Sequence, residues 1–342
     1  MSEECSGTTG DPWRHANTNA MNNGSRCVIL SMNLLNWGMY GAVAEPKVRK
    51  VCDLVADSHP QLLCLSEMGP GDAIEQLTRP LAARGLHYDP VSVGTPNSRG
   101  IRNVILGRRG VEVLEAKLHV PMELALPPIQ LDNFEMGGIR VRLSREPLAV
   151  LVRVQGTVLA LGFFHPKSKY AEDFKTGDYP KDVPDQTYMG TCKMISSLRN
   201  FSQCLLAREF VDRFWEHNPL QSAWGITPSE VRFVLVGDWN ANPQEEQRLA
   251  VRGYLEGGLS AETLLIDSIG TASTDMKDIC TIPWGGTPNS FDAIYIDKRL
   301  ENVSESRILS VDPVDFFGCP EAERERLENQ VLDHCPVGLY LK

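Results

Sequence analysis

Four apolar runs in this chain stop on side chains that can bind metal or phosphate. The stretch 231–236 runs into Gly237-Asp238-Trp239-Asn240, residues 27–32 into Asn33 and then Asn36, residues 61–66 into Glu67, and residues 157–164 into His165, followed by Lys167 and Lys169. If each run is a buried strand, Asp238 and Asn240, two residues apart, project toward the same open end of a sheet. Asp and Asn also suit strand-to-loop turns for backbone reasons, so the pair gains meaning from its companions. Toward the C-terminus, Asp292 opens the apolar run 293–296, and Asp333-His334 precedes a last apolar stretch from Val337. Strands ending in Asn, Glu, His and Asp-x-Asn build a pocket when they are neighbours.

The elements needed to hold such a pocket are visible in the apolar pattern. Val48, Val51, Cys52 and Val55 recur at helical spacing and predict a helix over 45–58, ended before Pro60. A second helix is expected from about 72 to 84. Within 140–164 two apolar runs flank Gln155-Gly156, the signature of a hairpin. A third helix is expected over 196–215, with Leu198, Phe201, Leu205, Phe210 and Phe214 on its buried side. Strands in runs, with helices laid outside, suggest an α/β four-layer sandwich of two mostly antiparallel β-sheets packed face to face.

The ordered set Asn33, Glu67, His165, Asp238-x-Asn240, Asp292 and Asp333-His334 resembles the endonuclease/exonuclease/phosphatase superfamily, which includes deoxyribonucleases, abasic-site endonucleases, deadenylases and sphingomyelinases. The resemblance covers residues 26–342. Secondary segments agree: residues 60–67 resemble PDILxLQE, Arg99-Gly100-Ile101 an RGI segment, Ser144-Arg145-Glu146-Pro147 an SREP stretch, and residues 165–169 HLKSK. The chain departs from the family pattern at Leu332, where Ser is usual, at Pro166, where Leu is usual, and at Arg102-Asn103 after RGI. These departures bear on the substrate and leave the chemical groups intact. The resemblance implies the same four-layer sandwich.

It also implies Mg²⁺- or Mn²⁺-dependent hydrolysis of a phosphoester. Hard oxygen donors suit these ions, which keep several waters and bind through one or two carboxylates. Glu67 is the first candidate ligand, with Asn33, Asp238, Asn240 and Asp333 completing one or two metal shells. His334, held by Asp292, is the candidate base or phosphate contact, and His165 the donor to the phosphoryl oxygens; Asp238 and Asn240 are also placed in the catalytic set. Whether Asp238 or His334 activates water stays open. Arg99, Arg145, Lys167 and Lys169 are candidate substrate-binding cations. Arg199 and Gln203, one helical turn apart, are candidates to face the pocket, and Trp239 and Trp284 to stack on a ring.

Composition narrows the setting. The 342 residues contain 42% hydrophobic and 23% charged residues, an ordinary globular balance, and no Pro/Gly/Ser-rich linker divides them, so one large domain is expected over 26–342. Residues 1–25 are polar, lack an apolar core and read as a disordered tail, with no signal peptide or membrane span. Nine cysteines without a C-x-x-C pair suggest buried thiols and a reducing cytoplasm. A net charge of -10 argues against nonspecific coating of nucleic acid but permits a local basic rim. Three activities therefore stand: a nuclease-like phosphodiesterase, a phosphatase or phosphodiesterase for a small metabolite or lipid headgroup, and a catalytically silent binding protein. The segment 170–192, with Lys175, Lys181 and Tyr188, is expected to form a lid that decides the substrate.

Overall fold

The computed structural model describes residues 25–125, 129–131, 134–136, 140–143, 145–166, 168, 185–218, 224–252, 265–270, 272–273, 275–284, 287–309, 311, 313 and 331–342. The expected N-terminal tail, apart from Ser25, lies outside them. The first half of the chain runs β1 (Arg26–Trp37), α1 (Glu45–Ser58), β2 (Leu62–Met68), α2 (Ala73–Ala83), β3 (Tyr88–Val93), β4 (Arg102–Arg108) and β5 (Glu112–Glu115). Four short strands follow, β6 (Glu123–Ala125), β7 (Ile129–Leu131), β8 (Phe134–Met136) and β9 (Arg140–Arg142), then the hairpin β10 (Leu148–Val154) and β11 (Thr157–Phe164). Helices α3 (Asp185–Asp212) and α4 (Phe214–His217) lead to β12 (Val231–Asp238) and α5 (Glu246–Arg252). The chain closes with β13 (Leu265–Asp267), β14 (Ile282–Trp284), β15 (Thr287–Asn289), β16 (Asp292–Asp297), β17 (Ser304–Ile308) and β18 (Val337–Leu341).

Two six-stranded sheets result, in the orders β17-β18-β1-β2-β4-β3 and β13-β16-β12-β11-β10-β5. Each contains one parallel pair at its centre, β1 with β2 and β11 with β12, among antiparallel neighbours. Their inner faces meet through Ile29, Cys64 and Leu339 of one sheet and Val150, Leu161, Val234 and Ile294 of the other. Such side chains contribute roughly 1.5–3 kcal/mol each when fully buried.

Helices cover the outer faces. Helix α1 begins with a proline in its first turn and ends on His59 in the left-handed region, at φ 49°. Its Val51 and Val55 pack with Leu77 and Leu81 of α2 against Leu63 and Leu65. On the other side, Cys204, Ala207, Phe210 and Val211 of α3 lie on Phe164, Phe233 and Leu235. The α/β four-layer sandwich, with its two mostly antiparallel β-sheets face to face, is therefore present.

Helix α3 departs from expectation in extent and in phase. It starts at Asp185, so residues 185–192 are helical, while residues 170–184 of the expected lid lie outside the described residues. Leu198, Phe201 and Leu205 are only half-buried, whereas Asn200, Ser202 and Gln203 are buried. Polar partners explain the rotation: the Asn200 amide donates to the Trp239 carbonyl at 3.0 Å, and that of Gln203 to the Arg142 carbonyl at 3.0 Å. A buried amide that finds such a carbonyl loses little by leaving water. Gln203 thus ties α3 to β9, in place of the pocket-facing role expected for it.

Candidate active site

Strand ends from both sheets converge on Asp238. Gly237 lets β12 approach β11 closely, since a Cβ at its φ of 147° would collide with the Phe164 carbonyl. The next residues of the two strands, Asp238 and His165, then face each other, with the His165 Nε2 3.3 Å from the Asp238 Oδ2. The Asn33 amide, from β1 of the other sheet, donates to the same oxygen at 3.2 Å. The other oxygen, Oδ1, accepts the Asn240 N–H at 3.0 Å, which folds the chain into a tight Asx turn with Asn240 at φ 53°. Asn240 spends its side-chain N–H on the Pro166 carbonyl at 3.1 Å, joining the β11 and β12 loops.

Glu67 is presented by a bulge. Leu65 pairs with Val104 and Met68 with Arg102, so Ser66 and Glu67 together oppose Asn103 alone, and Glu67 adopts φ 60°. One Glu67 oxygen accepts the Asn36 N–H at 3.3 Å; the other faces the Arg145 Nη2 at 3.8 Å and the His165 Nε2 at 3.9 Å. Of the six non-glycine residues at positive φ among the described residues, four (Leu35, Asn36, Glu67 and Asn240) lie in this cleft. Strain of this kind persists where the surroundings hold it, and it gathers at sites that do chemistry.

The third arm is the pair Asp292 and His334, with Nδ1 and Oδ2 2.6 Å apart. The Asp292 N–H donates to the Thr281 hydroxyl at 3.1 Å, and the Thr281 carbonyl accepts from Cys335 N–H at 2.7 Å, so one buried threonine fixes both partners. The outer nitrogen of His334 lies 3.9 Å from the Asp238 Oδ2 and 4.0 Å from the Asp333 Oδ1.

Electrostatics sort these groups. Burial pushes the Asp238 carboxyl up, but His334, His165 and the Asn240 N–H outweigh it and hold it well below the usual range. Burial likewise opposes ionisation of Glu67, and His165, Arg145 and Arg99 overcome it. Burial and the nearby Arg145 cation press His165 toward its neutral form. His334 is raised well above its ordinary value, because Asp292, Asp333 and Asp238 together exceed the cost of burial. Asp333 is pushed up to about 6, chiefly by burial and then by the Glu67 charge, against the attraction of His334 and Lys47.

The structure thus brings together Asn33, Glu67, His165, Asp238, Asn240, Asp292, Asp333 and His334. Arg99 borders the cleft and donates to the Asn36 side-chain oxygen at 2.9 Å. Arg145 forms a wall: buried to 9% exposure, it donates to the His165 and Pro166 carbonyls at 3.3 and 3.4 Å beside Glu67. Lys167 and Lys169 lie outside the described residues, as does the side chain of Trp284. Trp239 is unavailable for stacking on a ligand. It is fully buried between Phe164 and Tyr295, with ring centroids 5.8 and 4.9 Å away, because successive residues leaving a strand point to opposite faces.

Two cations that spacing did not single out support the cleft. Lys47, 1% exposed on α1, donates to the Leu35 carbonyl at 2.9 Å and steadies the strained end of β1. Arg248, fully buried on α5, donates to the Ala241 and Ser290 carbonyls, the Tyr295 hydroxyl and the Asp267 carboxylate, clamping the loop after Asn240 to the loop before Asp292.

No protein-family model and no curated protein matches the sequence. Solved structures do. TDP2 from D. rerio, crystallised with a single-strand DNA product, superposes with a TM-score of 0.50 at 15% identity, over 94% of this chain and 100% of that one. The chain has the endonuclease/exonuclease/phosphatase fold. The catalytic domain of human Nocturnin with a bound sulfate is also similar (TM-score 0.48, 15% identity, 92% of this chain and 94% of that one). So is an AP endonuclease from Archaeoglobus fulgidus (TM-score 0.45, 13% identity, 92% and 98%). Among the described residues no helix is long and apolar enough to cross a membrane.

Proposed function

We propose that this protein is a metal-dependent phosphoric ester hydrolase that cleaves phosphodiester bonds by in-line attack of water, with a nucleic acid strand as the favoured substrate class. The observation that carries the reading is the convergence of two imidazoles, His165 and His334, on one oxygen of Asp238, 3.3 and 3.9 Å away, in a cleft that also holds Glu67 and Asp333. Such a set can face a phosphate with donors while presenting carboxylates to a cation. The D. rerio TDP2 structure, with its single-strand DNA product on the same fold, supports the choice of a nucleic acid.

Mg²⁺ or Mn²⁺ suits the donors present. Among the described residues no group of three or more His, Cys, Asp and Glu side chains is arranged to hold a metal ion. Mg²⁺ needs fewer, since it commonly binds through one or two carboxylates and keeps its waters. Glu67 and Asp333 are the residues to hold it: the Asp333 Oδ1 is buried without a hydrogen-bond partner among the described residues, and burial beside Glu67 makes its negative charge costly. Asn33, Asp238 and Asn240 are instead joined to one another and to backbone, and they shape the cavity around the ion. When bound, the ion supplies Lewis acidity and neutralises charge building on the phosphoryl oxygens.

The protein's own groups carry the remainder. His334, with its Nδ1–H bonded to Asp292, offers its outer N–H to a phosphoryl oxygen and stabilises the charge that develops there. The Asp238 carboxylate, held ionised, accepts a hydrogen bond from water and orients it for attack. His165, locked by its contact with Asp238, and Arg145 fix the position of Glu67. Six described cysteines are buried, and buried thiols suit a reducing compartment such as the cytoplasm.

The test is turnover of plasmid, a single-stranded oligonucleotide, a chromogenic phosphodiester and a phosphomonoester, each in EDTA and again with Mg²⁺ or Mn²⁺. Metal-restored cleavage of the diesters is expected. Turnover confined to the monoester would replace the diesterase with a small-molecule phosphatase, and full activity in chelator would remove the metal from the reaction.

A further inference from the structure

At the opposite end of the first sheet, five strands deliver polar side chains to one cavity. It measures about 340 Å³ and is walled by Arg26, His59, Gln61, Arg108, Arg307 and Tyr340, from the starts of β1 and β2, the end of β4, the edge strand β17, its neighbour β18, and the C-cap of α1. Asn33 lies six steps along β1 from Cys27 in this wall, a distance on the order of 20 Å, so the cavity is separate from the catalytic cleft.

Its charge is unlike that of the chain as a whole, which carries -10. Arg307 is braced, paired with Glu305 at 2.9 and 3.1 Å and stacked 4.5 Å from the Tyr340 ring centre, and it forms a fixed wall. Arg26 and Arg108 differ, because neither guanidinium has a hydrogen bond or ion pair among the described residues. Among the described residues Asp57 is the one carboxylate in the lining. The C-terminal dipole of α1 also opposes an anion there, but more weakly than two charge-assisted contacts favour it. His59 adds a further donor, held in the left-handed conformation that helix C-caps usually give to glycine.

We infer that this cavity is a second ligand site, which takes a small phosphate-bearing anion between Arg26 and Arg108. Two planar guanidinium forks match the oxygens of a tetrahedral phosphate, and the volume lies at the small end of ligand pockets, enough for a mononucleotide-sized ester. Free phosphate and a phosphate ester share this chemistry.

The experiment is calorimetric titration of the full chain, in chelator, with inorganic phosphate and separately with adenosine monophosphate. Wild type is compared with Arg26→Gln, Arg108→Gln and, as a control in the catalytic cleft, Arg145→Ala. The inference expects a binding event that survives Arg145→Ala and weakens at least tenfold in each of the other two variants, while the His59 ring signals of the wild type shift during the titration. Tighter binding of the nucleotide identifies an ester ligand, and equal binding identifies phosphate itself. Absence of binding, binding indifferent to Arg26 and Arg108, or binding abolished only by Arg145→Ala would overturn it.

Discussion

Replacing Asp333 by Asn should make the metal-free protein more stable, although it removes a group from the centre of the site. Burial and the Glu67 charge push the Asp333 carboxyl up to about 6, from an ordinary 3.8. A carboxyl that holds its proton more tightly when folded stabilises the fold below the unfolded value near pH 4 and withdraws that stability as the pH rises through 6. At about 1.36 kcal/mol per tenfold change in proton affinity, the cost to the folded state at pH 8 is roughly 3 kcal/mol. Asparagine does not titrate and escapes this cost. Urea unfolding in EDTA should therefore show Asp333→Asn about 3 kcal/mol more stable than wild type at pH 8, with the gap closing toward pH 4. Adding Mg²⁺ should stabilise the wild type and leave the variant nearly unmoved, since the cation relieves the same repulsion. A variant no more stable than wild type at pH 8, or a gap that does not change with pH, would refute the reasoning.

Three further outcomes are expected. His334→Ala and Asp292→Asn should each lower kcat by about 10²-fold or more, with the double variant little worse than either; steady-state kinetics showing multiplicative losses would separate the two residues. Neutralising Arg99, Lys167 and Lys169 together should weaken oligonucleotide binding in a salt-dependent way while sparing a small chromogenic diester, and a flat response of both substrates would remove these residues from the substrate path. Arg248→Met should cost about 3–5 kcal/mol in chemical unfolding, because it strands the buried Asp267 carboxylate, and adding Asp267→Asn should recover part of the loss; equal instability of the double variant would show that the clamp acts through its carbonyl contacts instead.

The parts of the fold that sequence could show are those governed by local periodicity. Helix α1 was expected over 45–58 and occupies those residues, and the hairpin turns at Gln155 and Gly156, both at positive φ. Asn33, Glu67, His165 and Asp238 were legible as candidates because each ends an apolar run, and a strand end is where such a side chain meets the sheet edge. Thr281, Lys47 and Arg248 were not legible. Each acts on backbone groups distant in sequence, as Arg248 does on Ser290, and no spacing rule connects such residues. The phase of α3 was misread for a related reason: Asn200 and Gln203 look like surface residues until the carbonyls that receive them are known. The ring-stacking expectation for Trp239 failed because proximity in sequence to Asp238 and Asn240 says nothing of which face its side chain takes.

The cleft draws Asn33, Glu67, Asp333 and His334 from one sheet or its connections, and His165, Asp238 and Asp292 from the other. The joint between the sheets therefore sets how the two halves of the constellation face each other, and the apolar residues lining it govern more than cohesion. A change of one methylene at Ile29, Leu161 or Val234 should shift one half of the constellation against the other, and where reacting groups must be held in place a displacement of about 1 Å can cost on the order of 10²-fold in rate. Such positions would register in a mutational scan as losses of turnover that outrun losses of melting temperature. Selection on this chain would then constrain the greasy seam between the sheets as tightly as the polar groups it brings into register.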